Sequence, residues 1–99
     1  MKKYQVIGAK EILEGVKEYE LPCLDSRKSF NGKAHVIELA SGIKYLESYD
    51  TIVAKIENGK LSRLWSGWSA TTGRHVSSFS LMFLGDPMGK AAWDRLEVA

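Results

Sequence analysis

Chemically useful side chains crowd into one stretch of this 99-residue chain, from Trp65 to His75. A Ser66-Gly67 break there leads to Ser69, Thr71 and Thr72, and then to Arg74 and His75. Hydroxyls, the unpaired N–H groups of a helix start and two cations together suit an anion: a phosphate, a carboxylate or a nucleic-acid backbone. Residues 58–85 also contain Lys60, Arg63, Arg74 and His75 but no Asp or Glu, so these cations lack local acids. The plainer explanation is that Ser69, Thr71 and Thr72 cap a helix while Arg74 is solvated or paired elsewhere. Caps are the commoner use of such residues.

The remaining candidates are weaker. Trp68 sits in the bend and could stack on a base, whereas Trp65 belongs to an apolar strand face and reads as core. His75 titrates near neutrality and could act as a base, but no nucleophile or orienting carboxylate stands at a recognisable spacing. His35 and Glu47 come opposite each other in a hairpin, a pair able to transfer a proton or simply to hydrogen-bond at the surface. Two histidines without an HxxxH pattern or cysteine partners announce no metal site. Cys23 alone excludes an intrachain disulfide, and neither GxxxxGK[ST] nor GxGxxG occurs, so no cofactor is expected. A second basic segment, Arg27, Lys28, Phe30 and Lys33, could clamp a polyanion, although charged loops are usually just solvated.

These residues need elements to hold them. Length and a 44% hydrophobic, 26% charged composition fit one folded domain over 1–99, and a net charge of +2 does not by itself mark a nucleic-acid binder. Ala9, Ile12, Leu13 and Val16 recur at helical spacing, predicting an N-terminal helix that ends at Leu21-Pro22. Residues 21–33 lack periodicity and read as an irregular loop or edge segment. Residues 34–65 read as a four-stranded antiparallel meander. Gly42 in a left-handed turn sets Glu38 against Lys44, and Asn58-Gly59 sets Glu57, Ile56 and Ala54 against Lys60, Leu61 and Arg63. This second hairpin gathers Ile52, Ala54, Ile56, Leu61 and Trp65 on one face, leaving Val53 and Leu64 on the other. Arg63 is the anomaly on the apolar face. Ser69 caps a helix over about 70–84 that stops at Gly85, and Asp86-Pro87 opens a short C-terminal helix docking Trp93 and Leu96. The expected class is α+β, with helices packed on the sheet.

Three segments carry a resemblance: Ser29-Phe30-Asn31-Gly32-Lys33-Ala34, Ser48-Tyr49-Asp50-Thr51-Ile52-Val53-Ala54, and Leu64-Trp65-Ser66-Gly67-Trp68-Ser69-Ala70-Thr71-Thr72-Gly73-Arg74-His75. They are similar to the SF-x-GKA, SY-x-T-x-VA and LW-x-G-[YW]-S-x-TT-x-RH patterns of a family of short uncharacterised proteins from phages, conjugative elements and Gram-positive gut bacteria. Ala92-Trp93-Asp94-Arg95-Leu96 resembles that family's ending. Asn31 replaces a common aromatic, and Gly73 stands where the first helical turn usually bears a side chain. The resemblance implies a mobile-element setting and no particular activity.

The expectation is therefore a small intracellular binding or accessory module. Its surface would combine Arg27, Lys28, Phe30, Lys33, Arg63, Trp68, Ser69, Thr71, Thr72, Arg74 and His75, and would meet a protein partner or a nucleic acid. A homodimer through a sheet edge is one form of the protein reading. The alternative is a small hydrolase or nuclease using His75 or His35. No apolar run is long enough to cross a membrane, and with a lone thiol and no export signal the expected address is the cytoplasm.

Overall fold

Two turns set the register of most of the sheet. Gly42 adopts φ 96° and its N–H donates to Leu39 O at 2.9 Å, closing the first turn with Glu38 across from Lys44. Asn58 and Gly59 take φ 54° and 73°, as a type I′ turn requires, and pair Glu57 with Lys60 and Ile56 with Leu61. Both follow the sequence expectation. The computed structural model describes residues 16–22, 32–49 and 51–96. Its strands are β1 (Val16–Glu20), β2 (Ala34–Leu39), β3 (Lys44–Ser48), β4 (Thr51–Glu57) and β5 (Lys60–Arg63), in an antiparallel sheet ordered β1-β2-β3-β4-β5. Helices α1 (Ala70–Leu84) and α2 (Lys90–Asp94) follow. The class is α+β.

The sheet has one strand more than the expected four. The expected N-terminal helix is wrong at its described end: Val16–Glu20 is a strand, with Val16 across from Leu39, Lys17 from Glu38 and Tyr19 from Val36. Helical spacing over so few apolar residues is a weak signal, and the edge of β2 offers unpaired N–H and C=O groups whose pairing overrides it. The rest of that predicted helix, and the 21–33 segment between Pro22 and Gly32, lie outside the described residues.

A second correction concerns β4. Leu46 pairs with Ala54 but Glu47 pairs with Ile52, so β4 carries one extra residue at this point. Such a bulge interrupts the two-residue alternation. Val53 therefore joins Ala54, Ile56 and Leu61 in the main core, while Ile52 packs on the opposite face with Ile37, Leu39 and Tyr45. This is the reverse of what strict alternation predicts for Ile52 and Val53.

Helix α1 covers the main face with Val76 and Phe79, both fully buried. Ser69 caps it, its Oγ accepting from Thr72 N at 3.1 Å, and Gly85 ends it at φ 83° with its N–H on Leu81 O. Helix α2 starts later than Asp86-Pro87 suggests, with Gly89 at its N-cap. Trp93 is nevertheless fully buried, and Leu96 packs beside it.

Arg63 explains how that last segment is held. It lies across from Ala54 on the core face, where the small partner leaves room for its side chain. Nε donates to Trp65 O (2.9 Å), Nη1 to Trp93 O (3.0 Å) and Leu96 O (3.3 Å), and Nη2 to Ser66 O (2.6 Å). Its guanidinium carbon also lies 5.1 Å from the Trp93 ring centroid. A planar group with five donors on three nitrogens reaches these spread carbonyls at once; an ammonium, with three donors on one atom, reaches fewer of them. Replacing it strands several buried acceptors. Arg63→Met is expected to lower unfolding free energy by about 3–5 kcal/mol in urea denaturation, with Arg63→Lys recovering less than half.

Candidate functional site

The bend after β5 is shaped by two tryptophans resting on glycines. A Cβ on Gly67 would overlap the Trp65 ring, and one on Gly73 would overlap the Trp68 ring. Trp68 is thereby laid against the first turn of α1, with its ring 6.1 Å from that of Trp93. Trp93 in turn donates its indole N–H to Gly67 O at 2.9 Å. The unusual glycine at position 73 thus has a packing reason. Gly73→Ala is expected to destabilise the fold by about 1–3 kcal/mol, although alanine is the better helix former. In a Trp68→Leu background that cost should vanish, and a double-mutant denaturation cycle measures the difference.

Under this bend α1 meets the β3–β4 turn in a buried polar network. Ser48 Oγ lies 2.8 Å from His75 Nδ1 and 2.9 Å from Thr72 Oγ1. Ser48, Thr72 and His75 are all buried, His75 completely. Burial, and secondarily the neighbouring Arg74 charge, push the imidazole down to about pKa 4. It is therefore neutral at pH 7. A hydroxyl beside a neutral imidazole has the outline of a nucleophile and its base, but in this arrangement neither group faces solvent.

Tyr49 closes this network from outside. It has a left-handed backbone, φ 56°, and its N–H donates to Lys33 O at 2.7 Å. Its ring lies 5.7 Å from that of His75, while 49% of the residue remains exposed. Sequence reasoning passed over Tyr49 and Ser48. The signal was there: a two-residue link between β3 and β4 must hold one residue in an unusual conformation.

The other candidates divide. Arg63 and His75 do not share a hollow, because Arg63 addresses carbonyls beside Trp93 and His75 addresses Ser48. Trp68 is half-buried, Ser69 is an exposed cap and Thr72 is internal. Thr71 and Lys33 are exposed, and half-buried Arg74 has an interaction of its own. Arg27, Lys28 and Phe30 lie outside the described residues. On the opposite face His35 does meet Glu47, Nδ1 to Oε1 3.3 Å, and Glu18 from β1 completes a set of three side chains of the types that can ligate a metal. Sequence reasoning missed Glu18 because its strand read as helix. No helix among the described residues is long and apolar enough to cross a membrane.

The His75 environment makes a pH prediction. A depressed histidine pKa means that the unfolded chain, near 6.5, takes up the proton first. Stability is fully present above about pH 7 and falls as pH drops toward 4. Between pH 7 and pH 5 the loss should be about 2 kcal/mol in denaturation experiments. His75→Gln should flatten that dependence.

Comparison with curated proteins and with solved structures found no match. Residues 19–95, from β1 through α2, match a family of unknown function, DUF8033. That match takes in the Trp65–His75 bend, the Ser48–Tyr49 turn and the Trp93 anchor, so the grouping covers the residues that build this site. The chain belongs to the DUF8033 family.

Proposed function

We propose that this chain is a small binding or accessory module whose contact surface is centred on Tyr49, with Lys33 bonded beside it, and extends over Thr71 and Arg74 of α1. The observation that carries this reading is Tyr49 itself: a large aromatic, half exposed, raised on a left-handed backbone above a bonded internal network. A non-glycine residue in that conformation costs of order 1 kcal/mol, and such strain tends to collect where a side chain must be presented. Tyrosine is also among the residues that dominate binding energy at protein interfaces.

The partner class this surface favours is a protein with an acidic contact patch. A phosphate backbone would want several outward cations, yet Arg63 and His75 are spent internally. Self-association through a sheet edge has less support, since β1 carries Lys17, Glu18 and Glu20 and β5 is four residues long. The alternative, a hydrolase or nuclease using His75 or His35, has the Ser48–His75 hydrogen bond in its favour. Burial of that pair and the low basicity of His75 weigh against it. We further propose a cytoplasmic, mobile-element setting; the motif resemblance and the lone thiol of Cys23 support it.

The test is capture of partners from a lysate of cells carrying the gene, comparing the parent with Tyr49→Ala and Arg74→Ala. Tyr49→Ala should cut retention of the specific partner by about tenfold or more while circular dichroism stays unchanged. Retention unaffected by either substitution removes this surface. Binding of a labelled single-stranded oligonucleotide that collapses steeply with salt would replace the protein partner with a nucleic acid.

A further inference from the structure

On the face opposite α1, three neighbouring strands each contribute one donor to a common point. Glu18 comes from β1, His35 from β2 and Glu47 from β3, with Glu47 directly across from His35. One ligand atom from each lies within 4.8 Å of the others. Glu47 is the deepest, its side chain 5% exposed, at the margin of the apolar patch formed by Ile37, Leu39, Tyr45 and Ile52. Glu18 is exposed and leaves that side of the cluster open to water. Glu20, also across from His35, is not part of it, because its carboxylate lies against Gly32.

The contact between His35 and Glu47 is informative. Nδ1 and Oε1 are 3.3 Å apart, yet they do not form a hydrogen bond, and Nδ1 is a buried atom with no hydrogen-bond partner. A buried ring nitrogen left in that condition is unusual. Two ligands bound at ~2.0–2.1 Å to a tetrahedral ion stand roughly 3.3 Å apart. The separation that fails as a hydrogen bond therefore fits one edge of a coordination tetrahedron. An exposed glutamate has enough rotamer freedom to close the remaining gap.

We propose that Glu18, His35 and Glu47 form a binding site for a divalent transition-metal ion of the zinc type. One imidazole nitrogen and two carboxylates suit such an ion better than calcium, which asks for six or more oxygens, or copper(I), which asks for sulfur. The exposed side leaves a fourth position for water. A single ion would neutralise two carboxylates that converge on one point, one of them buried. The site is separate from the Tyr49 surface and stands or falls independently of it.

The full chain, stripped of metal with a chelator, is titrated with Zn(II) by calorimetry and followed by thermal melting. One saturable 1:1 site and a melting point raised by several degrees are expected. Glu18→Gln, at an exposed position, should weaken binding by ~10-fold or more while the chain stays folded, and His35→Ala should abolish it. Should His35→Ala fail to fold, Co(II) loading of the parent decides. Visible d–d bands without a sulfur charge-transfer band support nitrogen and oxygen ligands. A sulfur band would assign the metal to Cys23 and overturn the proposal. Absence of saturable Zn(II) binding, or binding unchanged in Glu18→Gln, would overturn it equally.

Discussion

One buried guanidinium ties the second half of the molecule to the sheet. Arg63 projects from β5 into the core face and holds carbonyls of Trp65, Ser66, Trp93 and Leu96. Two of those acceptors belong to the bend that follows the strand, and two to the C-terminal segment, where helix carbonyls carry partial negative charge. The arrangement substitutes oriented peptide dipoles for a carboxylate counter-ion. It also dictates what comes next. With Trp65 and Ser66 pinned, Gly67 receives the Trp93 indole, Trp68 lies on Gly73, and α1 starts where Thr72 and His75 reach Ser48.

The two described histidines occupy opposite sides of this sheet and opposite chemical settings. His75 is enclosed by hydroxyls and an aromatic ring, with Arg74 beside it, so protonation is disfavoured and the ring works as a neutral hydrogen-bonding group. His35 stands between carboxylates of two neighbouring strands. Two carboxylates beside an imidazole suit a metal ion, whereas burial and the Arg74 charge disfavour positive charge on the His75 ring. Residue type alone does not separate these roles; the face of the sheet does.

How much was legible from the sequence follows from the range of each signal. The turns at Gly42 and Asn58-Gly59, the Ser69 cap and the Gly85 stop are local, and each was readable because its backbone requirement is written in two or three residues. Arg63 was readable as an anomaly but not as an anchor, since its carbonyl partners at Trp93 and Leu96 lie thirty residues or more away. Val16–Glu20 was misread because pairing with a strand further along the chain leaves no local trace, and Glu18 was lost with it. The bulge in β4 was equally silent: Ile52, Val53 and Ala54 are all apolar, so nothing in their pattern shows where the alternation slips.

That bulge lies directly beside both networks. The register slips beside Glu47, the residue just before Ser48, and bulges bend and twist a strand so that side chains are re-aimed locally. Along β3, which carries no extra residue, ordinary alternation sends two consecutive side chains to two networks, Glu47 toward His35 on one face and Ser48 toward His75 on the other. The next residue, Tyr49, is the strained aromatic that reaches solvent. The Glu47 carboxylate, the Ser48 hydroxyl and the Tyr49 ring thus meet three different surroundings from one three-residue span.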